Sequence, residues 1–495
     1  MKNDNEVIPT FSKFGANVFK LITGNVAAQL ITIGAMPIIT RMYTPDDFGI
    51  YQLFVSITSV LIVVAALQYD MAIMLPPAEE DAVNVTALSV IVVTIFSLLT
   101  LPIIGCFRVS IAYFFEAKEM APYLWLAPLA IFTGAILQVF TYWSSRQQQF
   151  GRVAFSSVIA NGTTSGVKIA CGAVGWTGPG GLIGGYILGP LVGTAVLVGR
   201  SFVRDIHLLK DITLTKIKTF ARRYRKFPIY STWSVLLNNL SIQLPSFLLA
   251  FYFSPAIVGL YSLGYRAVKT PMNFIASAIA KVFYQKASDD HARTGSITMI
   301  VEEVSKRLIA FGLFPMLLLA VVGKELFVIV FGQKWAEAGV YMQIMVPWIF
   351  LNLIASPLST TFNVLEKQRQ LLLFNTVLFL SRIVTLVIGG ILGSPRLALW
   401  LFSISGAFIY GWLTFWIMRK TGVAPLRLLA QLKEYLLCSG ALLVPLLIIT
   451  KIISGHPLLL LLTVALAGII YLMFLFRRDP VLQGILLTVI GKAGS

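Results

Sequence analysis

The sequence predicts an all-α polytopic membrane protein with about 14 transmembrane helices, and three observations carry this prediction. Hydrophobic residues make up 57% of the 495 residues, mean hydropathy is +0.83, and only 12% of residues are charged, about half the share in a soluble domain. Apolar runs of about 20 residues, the length that crosses a bilayer as a helix, recur along the whole chain. The runs are continuous rather than alternating, which favours helices over the strands of a membrane barrel.

The predicted spans follow one another with short polar connections. They cover approximately residues 20–40, 49–67, 83–105, 123–145, 153–175, 182–203, 229–253, 259–283, 307–331, 338–365, 371–392, 397–418, 436–453 and 458–476. The ninth span contains Gly323, Lys324 and Glu325, which leaves room for an early end followed by a short interfacial segment. An even number of spans places both termini on the same side of the membrane.

The net charge of +18 is distributed as in a membrane protein rather than as in a nucleic-acid-binding protein. With the N-terminus inside, most of the 39 Lys and Arg residues fall in cytoplasmic segments. This bias predicts that both termini are cytoplasmic and that nucleic acid is not a partner. The three cysteines, Cys106, Cys171 and Cys438, are scattered, and so are the three histidines. We therefore expect no disulfide framework, no metal site and no cofactor.

The largest basic segment, residues 204–226, lies between the sixth and seventh spans and mixes basic with apolar residues. This pattern favours a topological anchor with an amphipathic helix on anionic lipid, with partner binding as the alternative. The segment divides the chain where a two-lobed transporter has its linker. We expect an N-terminal lobe over residues 1–203 (spans one to six), a cytoplasmic basic linker over 204–228, a C-terminal lobe over 229–418 (spans seven to twelve), and two extra spans with a cytoplasmic tail over 419–495.

An internal repeat supports the two lobes. The ten residues that open the second span, 44–53 (TPDDFGIYQL), match the ten that open the eighth, 254–263 (SPAIVGLYSL), at a constant offset of 210 residues. Pro, Gly, Tyr and Leu are identical between them. Both segments begin outside and run inward, which predicts a parallel rather than an inverted repeat.

Three stretches resemble a known family. Residues 41–53 (RMYTPDDFGIYQL) are similar to the start of bacterial polysaccharide-export flippases, the Wzx-type members of the multidrug/oligosaccharidyl-lipid/polysaccharide exporter superfamily. Residues 68–76 (QYDMAIMLP) and 259–266 (GLYSLGYR) also resemble this family. Length and predicted topology match over essentially the whole chain.

The resemblance implies a V-shaped, two-lobed transporter, not an enzyme, that alternates between inward and outward openings around a cavity lined by spans one, two, seven and eight. The implied substrate is an undecaprenyl-pyrophosphate-linked oligosaccharide repeat unit, moved from the cytoplasmic to the periplasmic leaflet of a bacterial inner membrane. The implied context is lipopolysaccharide O-antigen, capsule or exopolysaccharide synthesis, with membrane lipids and the polymerase and export machinery as further partners.

The spans themselves contain four cations but no deep carboxylate. Lys168, Arg266, Lys269 and Arg382 lie within spans, and Arg41 ends the first span at the outer interface. A buried charge in a membrane normally faces a cavity or a partner. Unmatched positive charge suits an anion such as pyrophosphate, which Arg binds bidentately. We expect these five residues to be substrate ligands, with snorkelling or structural hydrogen bonds as the alternative.

Polar uncharged residues extend the candidate site along two spans. Asn25 and Gln29 lie on one face of the first span, and Asn239 and Gln243 lie on the seventh, where Asn239 falls at the repeat offset from Gln29. Amides at such positions suit sugar hydroxyls, but they also join transmembrane helices. Both readings stay open.

Two other functions compete with the flippase. A cation-coupled small-molecule exporter of the same superfamily needs carboxylates or histidines in the membrane, and a cationic drug is repelled by a cationic cavity. A membrane glycosyltransferase or polymerase needs a polymer-building site, for which Asp46 and Asp47 in a short outer loop provide too little. The sequence favours an anionic cargo.

Overall fold

The computed structural model of the chain describes residues 7–452 and 457–478, and this part is helical without strands. Fourteen helices in it have 20 or more residues. They are α1 (Val7–Met42), α2 (Pro45–Ala65), α3 (Glu79–Phe114), α4 (Ala127–Arg146), α5 (Phe150–Ala173), α6 (Pro179–Asp205), α7 (Thr232–Tyr252), α8 (Pro255–Thr294), α9 (Thr298–Phe331), α10 (Ala336–Leu358), α11 (Gln368–Ile391), α12 (Pro395–Lys420), α13 (Pro425–Ile452) and α14 (Pro457–Arg478).

Short helical segments complete the described chain. Three are short α-helices, at Tyr69–Ala72, Leu214–Arg223 and Thr361–Val364. Four are 3₁₀ turns, at Lys118–Met120, Tyr123–Leu126, Ile206–Asp211 and Gln333–Trp335, and one is a π-helical turn at Phe227–Ser231. We refer to Leu214–Arg223 as the linker helix.

The all-α polytopic fold predicted from hydropathy is confirmed. Within the described residues, 11 helices are long and apolar enough to cross a membrane. The long helices α5, α8 and α13 are not among them. In α5 and α8 polar residues and charges interrupt the apolar run, including Lys168 and the pair Arg266 and Lys269. The count of 14 spans stays a prediction, and the ends of the predicted cytoplasmic tails, residues 1–6 and 479–495, lie outside the described residues.

The early end for which the ninth span left room does not occur, because α9 continues to Phe331, the end of the predicted span 307–331. Gly323 serves close packing instead of helix termination: a β-carbon on it would lie 2.3 Å from the Cε of Met342 on α10. The amide of Gln343, the next residue of α10, donates to the carbonyls of Ala320 and Val321 at 3.0 and 3.3 Å. The helix therefore continues through its polar stretch against a neighbour.

The chain divides into two compact units, Met1–Ser262 and Leu263–Ser495. In the first unit α5 packs between α1 and α6, α3 packs on α4, and α2 packs on α7. In the second unit α10 packs between α9 and α12, α11 lies on α12, and α13 and α14 contact α9. The division falls inside α8, whereas the predicted lobes divide in the linker at 204–228; those lobes stay a prediction.

The linker helix packs against protein, not only against lipid as its amphipathic pattern suggests. Ile217, Phe220 and Tyr224 are buried in an apolar cluster of the first unit, which also contains residues of α3 and α4. Lys216 lies 3.5 Å from Asp81 at the start of α3. Lys218, Arg222 and Arg223 of the linker helix are exposed, which leaves its charged face free of the cluster.

The two repeat segments form matching helix starts. Thr44 caps α2 in a capping box with Asp47, and Pro45 occupies the first helical turn. At the same position of α8, the Ser254 hydroxyl accepts a hydrogen bond from the Ile257 N–H at 3.5 Å. The shared Thr/Ser-Pro pair of the repeat is thus a helix-start signal in both copies, and Asp47 completes the capping box in the first copy.

Candidate functional site

The second unit holds Lys269 of α8 among polar and aromatic side chains. Its ammonium donates a hydrogen bond to the Asn352 amide oxygen on α10 and lies 5.9 Å from the ring centroid of Trp348, one turn earlier on that helix. The charge of Arg382, on α11, acts on the same ammonium. The field of a like charge on another helix therefore opposes the charge of Lys269 at this part-buried site.

Two tyrosines connect these groups. The Tyr410 hydroxyl on α12 shares hydrogen bonds with Asn352 and Arg382. The charges of Arg266 and Arg382 both reach the hydroxyl of Tyr265. We call Arg266, Lys269 and Arg382 the cation cluster. Asn352 and Tyr410 thus connect Lys269 with Arg382, whereas Arg266 is linked to the group through the field that it shares with Arg382 at Tyr265.

The helices that carry this cluster contain few acids. In α8, α10, α11 and α12 the acidic residues are Asp289, Asp290 and Glu337. Glu337 is held by Arg396, whose guanidinium donates to both carboxylate oxygens at 2.6 and 2.8 Å. The two aspartates lie about 20 residues, or roughly 30 Å along the helix, beyond Lys269. An anionic ligand would therefore meet no carboxylate on these helices near the cluster.

Lys168 has a different environment, in the first unit. Only 8% of the residue is exposed, its ammonium donates to the Tyr51 hydroxyl at 2.9 Å, and it lies 4.2 Å from the centre of that ring. The Tyr43 hydroxyl donates to the Lys168 carbonyl at 2.7 Å. A β-carbon on Gly185 of α6 would lie 2.8 Å from the Lys168 side chain. Lys168 therefore joins α2, α5 and α6, and its role as a substrate ligand stays a prediction.

The other predicted residues are dispersed over the first unit. Arg41 and Asn25 are exposed on α1, and Gln29 is half-buried there. Asn239 donates to the carbonyl of Val235 within its own helix at 3.1 Å. A role for these four residues in lining a substrate cavity stays a prediction.

Gln243 has partners on a neighbouring helix. Its amide oxygen accepts from Ser56 at 3.0 Å, and its amide nitrogen donates to Ser59 at 3.0 Å. Both serines lie on α2. Of the two roles weighed for such amides, this geometry corresponds to joining helices.

Sequence reasoning missed the groups that surround the cations. Asn352 and Trp348 lie four residues apart on α10, and this spacing puts them on one helix face. That spacing predicts a shared face of α10, but only the packing of α8 against it identifies Lys269 as the partner of Asn352. For Tyr410 no sequence signal exists, because its role depends on how α12 packs.

A second polar arrangement surrounds Asp70, in the segment between α2 and α3. Only 1% of Asp70 is exposed, and its carboxylate accepts a hydrogen bond from the Gln138 amide at 2.7 Å. Burial raises the pKa of this carboxyl above its usual range, against opposing hydrogen bonds from the Met71 N–H and Gln138. Arg146 of α4 secures the segment by donating to the Ile73 carbonyl at 3.1 Å. The resemblance motif at residues 68–76 thus forms a partly buried, hydrogen-bonded segment that includes the short helix Tyr69–Ala72.

The fold is that of transporters in the multidrug/oligosaccharidyl-lipid/polysaccharide exporter superfamily. A family model described as "Polysaccharide biosynthesis protein" matches residues 38–340, more than half of the chain. The chain belongs to this polysaccharide biosynthesis protein family, so the superfamily inferred from the sequence motifs is confirmed. No curated protein sequence matches the chain at a significant level.

Solved structures share this fold at low sequence identity. A lipid II flippase MurJ in an inward closed conformation is 14% identical, with a TM-score of 0.72 over 92% of this chain and 98% of that chain. An inward-facing multidrug resistance MATE family transporter is 14% identical, with a TM-score of 0.59 over 80% of this chain and 94% of its own. An outward-facing one is 16% identical, with a TM-score of 0.54 over 82% and 95%. These similar proteins are transporters and a flippase rather than enzymes.

Proposed function

We propose that this protein moves an undecaprenyl-pyrophosphate-linked oligosaccharide repeat unit from the cytoplasmic to the periplasmic leaflet of a bacterial inner membrane. It acts by alternating access, and the product serves the assembly of O-antigen, capsule or exopolysaccharide. Membership of a polysaccharide biosynthesis family supports this cargo. The shared fold with a protein described as a lipid II flippase supports the transport step.

The observation that carries the proposal is the Lys269 ammonium, which is hydrogen bonded to Asn352, lies 5.9 Å from the centre of the Trp348 ring and is within the electrostatic field of Arg382. Two cations in a medium of low dielectric repel strongly, and each also loses hydration. An anion with two or more negative charges removes both costs. Pyrophosphate has this charge and the oxygen geometry that a guanidinium fork binds in pairs.

The residues of the cluster then have separate roles. Arg382 binds the phosphate oxygens through its planar fork, and Lys269 supplies a point charge beside it. Arg266, one turn before Lys269 on α8, extends the positive field along the helix. Asn352 orients the Lys269 ammonium through their hydrogen bond. In this proposal the cation cluster binds the pyrophosphate alone, and its binding does not depend on contacts with the glycan.

The alternative is a cation-coupled small-molecule exporter of the same superfamily. Two of the similar structures are multidrug transporters, and the buried Asp70 carboxyl with its raised pKa is the observation that favours proton coupling. The cation cluster opposes a cationic cargo, because like charges repel in the membrane interior.

Reconstitution into liposomes separates the two functions. The probe is undecaprenyl pyrophosphate carrying one N-acetylglucosamine, and the comparison cargo is the cationic dye ethidium under an imposed pH gradient. We expect the protein to equilibrate the lipid between leaflets and to leave dye flux at the level of protein-free liposomes. Proton-driven dye export without lipid movement would establish the exporter instead. A neutral polyprenyl glycoside, which lacks the pyrophosphate, is the matched control cargo and should move poorly.

A further inference from the structure

The two copies of the repeat contact each other through their glycines. A β-carbon on Gly49 of α2 would lie 1.7 Å from the carbonyl oxygen of Pro255, the first residue of α8. A β-carbon on Gly259 of α8 would lie 2.0 Å from the carbonyl oxygen of Pro45, the first residue of α2. Each glycine therefore meets the first carbonyl of the other helix. We call these four residues the glycine contact.

This contact is specific to glycine. Real β-carbons do not approach carbonyl oxygens to such distances, so any side chain at either position would force the two helices apart. The glycine at 259 also faces the Gly49 backbone nitrogen, at 2.9 Å from its would-be β-carbon. The helices thus meet backbone to backbone, as small residues allow in membranes. The two segments related by the offset of 210 residues therefore contact each other, and each contributes one proline carbonyl and one glycine.

A short ladder of hydrogen bonds continues the contact along α2. Gln52 donates to Ser56 at 3.1 Å, Ser56 donates to the Gln243 amide oxygen at 3.0 Å, and the Gln243 amide donates to Ser59 at 3.0 Å. All the partners are neutral, and no ion pair takes part in these three bonds. Opening the ladder therefore separates no charges.

We propose that the glycine contact and this ladder form the outer gate of the transport pathway, closed in this structure, which opens to release cargo to the periplasm. The proposal rests on the proposed function and its orientation, which put the first turns of α2 and α8 at the outer surface. The glycines let the helix ends seal without an interlocking side chain. The seal can therefore separate and return to the same geometry in each cycle.

The first test measures access from outside. In a variant without the three native cysteines, Asn239→Cys reports from one turn on the inner side of Gln243, and a membrane-impermeant thiol reagent is added to intact cells. Adding Gly49→Ala or Gly259→Ala should raise the labelling rate on the order of tenfold or more, since about 1.4 kcal/mol against closure gives tenfold. Gly166→Ala is the matched control, because a β-carbon there meets nothing within 4 Å.

Asp46→Cys, exposed at the start of α2, tests the orientation by itself. If this cysteine does not label from outside, the proposed orientation fails. If it labels while both glycine variants leave the rate at Asn239→Cys unchanged, the gate proposal is overturned and the transport function stands.

The second test does not require the glycine variants to fold. Ser59→Cys paired with Gln243→Cys places two thiols where the native side chains are hydrogen bonded. Bridging them with a short dithiol cross-linker should abolish lipid movement in liposomes, and reduction of the linker should restore it. The single-cysteine variants treated in the same way are the controls. Unchanged lipid movement in the bridged protein would show that this contact need not open.

Discussion

The ammonium of Lys269 is held by an amide, lies 5.9 Å from the centre of an indole ring and is within the field of a guanidinium of like charge. The first two contacts stabilise the cation, and the third opposes it. Lys168 offers the contrast, because its ammonium has a tyrosine partner, Tyr51, through both the hydroxyl and the ring. At the scale of single residues, the contacts of each lysine therefore distinguish the two roles. Lys269 is near a second cation and suits an anionic ligand, whereas Lys168 joins helices.

Variants of the cation cluster test this distinction. We expect Arg266→Ala or Lys269→Ala to lower lipid movement by roughly tenfold to a hundredfold, the effect of losing a hydrogen bond to a charged group. Glu at either position should do worse, because it repels pyrophosphate. Arg266→Lys should restore activity only in part, because an ammonium lacks the planar fork. The measurement is flipping per folded protein in liposomes.

The control for these variants is Arg419→Ala, at the exposed end of α12, which should retain full activity. Full activity in the Arg266→Ala, Lys269→Ala double variant would contradict the anion site and leave the fold assignment intact. A loss that tracks only the amount of folded protein would point to a packing role.

Asp70→Asn tests coupling and burial together. Burial raises the folded-state pKa of Asp70, so ionising it weakens the fold. Wild-type stability should therefore fall as pH rises from about 3.9, the usual Asp value, to the raised pKa, and then stay level. The Asn variant should lack this fall, so that its advantage in melting temperature grows with pH over that window.

Transport by the Asp70→Asn variant decides the functional part. Asn can still accept the hydrogen bond from Gln138, so we expect substantial lipid movement to remain at neutral pH. A folded Asp70→Asn protein without any transport, beside an active Gln138→Ala control, would return a proton-coupling role to this carboxyl.

At the scale of elements, one amphipathic helix joins two environments. The linker helix places Phe220 and Ile217 in the protein core and leaves Lys218, Arg222 and Arg223 exposed. Its apolar periodicity and charge were readable from the sequence. The surface that its apolar face covers was not, because protein and lipid present the same hydrocarbon to a helix. A packed neighbour is a property of the fold rather than of the segment.

Removing one core side chain of the linker helix measures that packing. Phe220→Ala should cost about 3–5 kcal/mol, the range for a deleted core aromatic. The expected result is a lower unfolding temperature in detergent, read from intrinsic fluorescence. Leu214→Ala is the control, since Leu214 is 66% exposed in the same helix and its loss should change little. Equal shifts in the two variants would show that the helix does not depend on its protein contact.

At the scale of the whole molecule, hydropathy was sufficient for the fold class, whereas the superfamily came from the resemblance of three short motifs. Apolar runs indicate which segments are long and apolar enough to cross the membrane, and this property does not depend on how the helices pack. They do not report which helices meet. The sequence placed Arg382 and Lys269 on separate spans, and their approach appears only once α8, α10 and α11 are packed. Likewise, α5 and α8 contain polar residues, and neither is among the 11 helices that are apolar enough to count as spans.

Topology is the prediction that belongs to the whole chain. Reporter fusions should place residues 204–226, 284–305 and 477–495 in the cytoplasm, because the basic residues concentrate there. Fusions at residues 108–118 provide the opposite control and should report an outer position. An external signal from 204–226 would overturn the orientation and, with it, the direction of transport.

The reciprocal glycines also bear on how such a chain can arise. A patch in which Pro45 meets Gly259 and Pro255 meets Gly49 is self-complementary, as in the isologous interface of a twofold homodimer. A half-length ancestor carrying one proline and one glycine at this spacing would have bound a second copy of itself through the same patch. Duplication and fusion then need no new interface, only a linker. Since either glycine closes against the other copy's proline, a substitution in one half is felt by the other, and the two halves must evolve together.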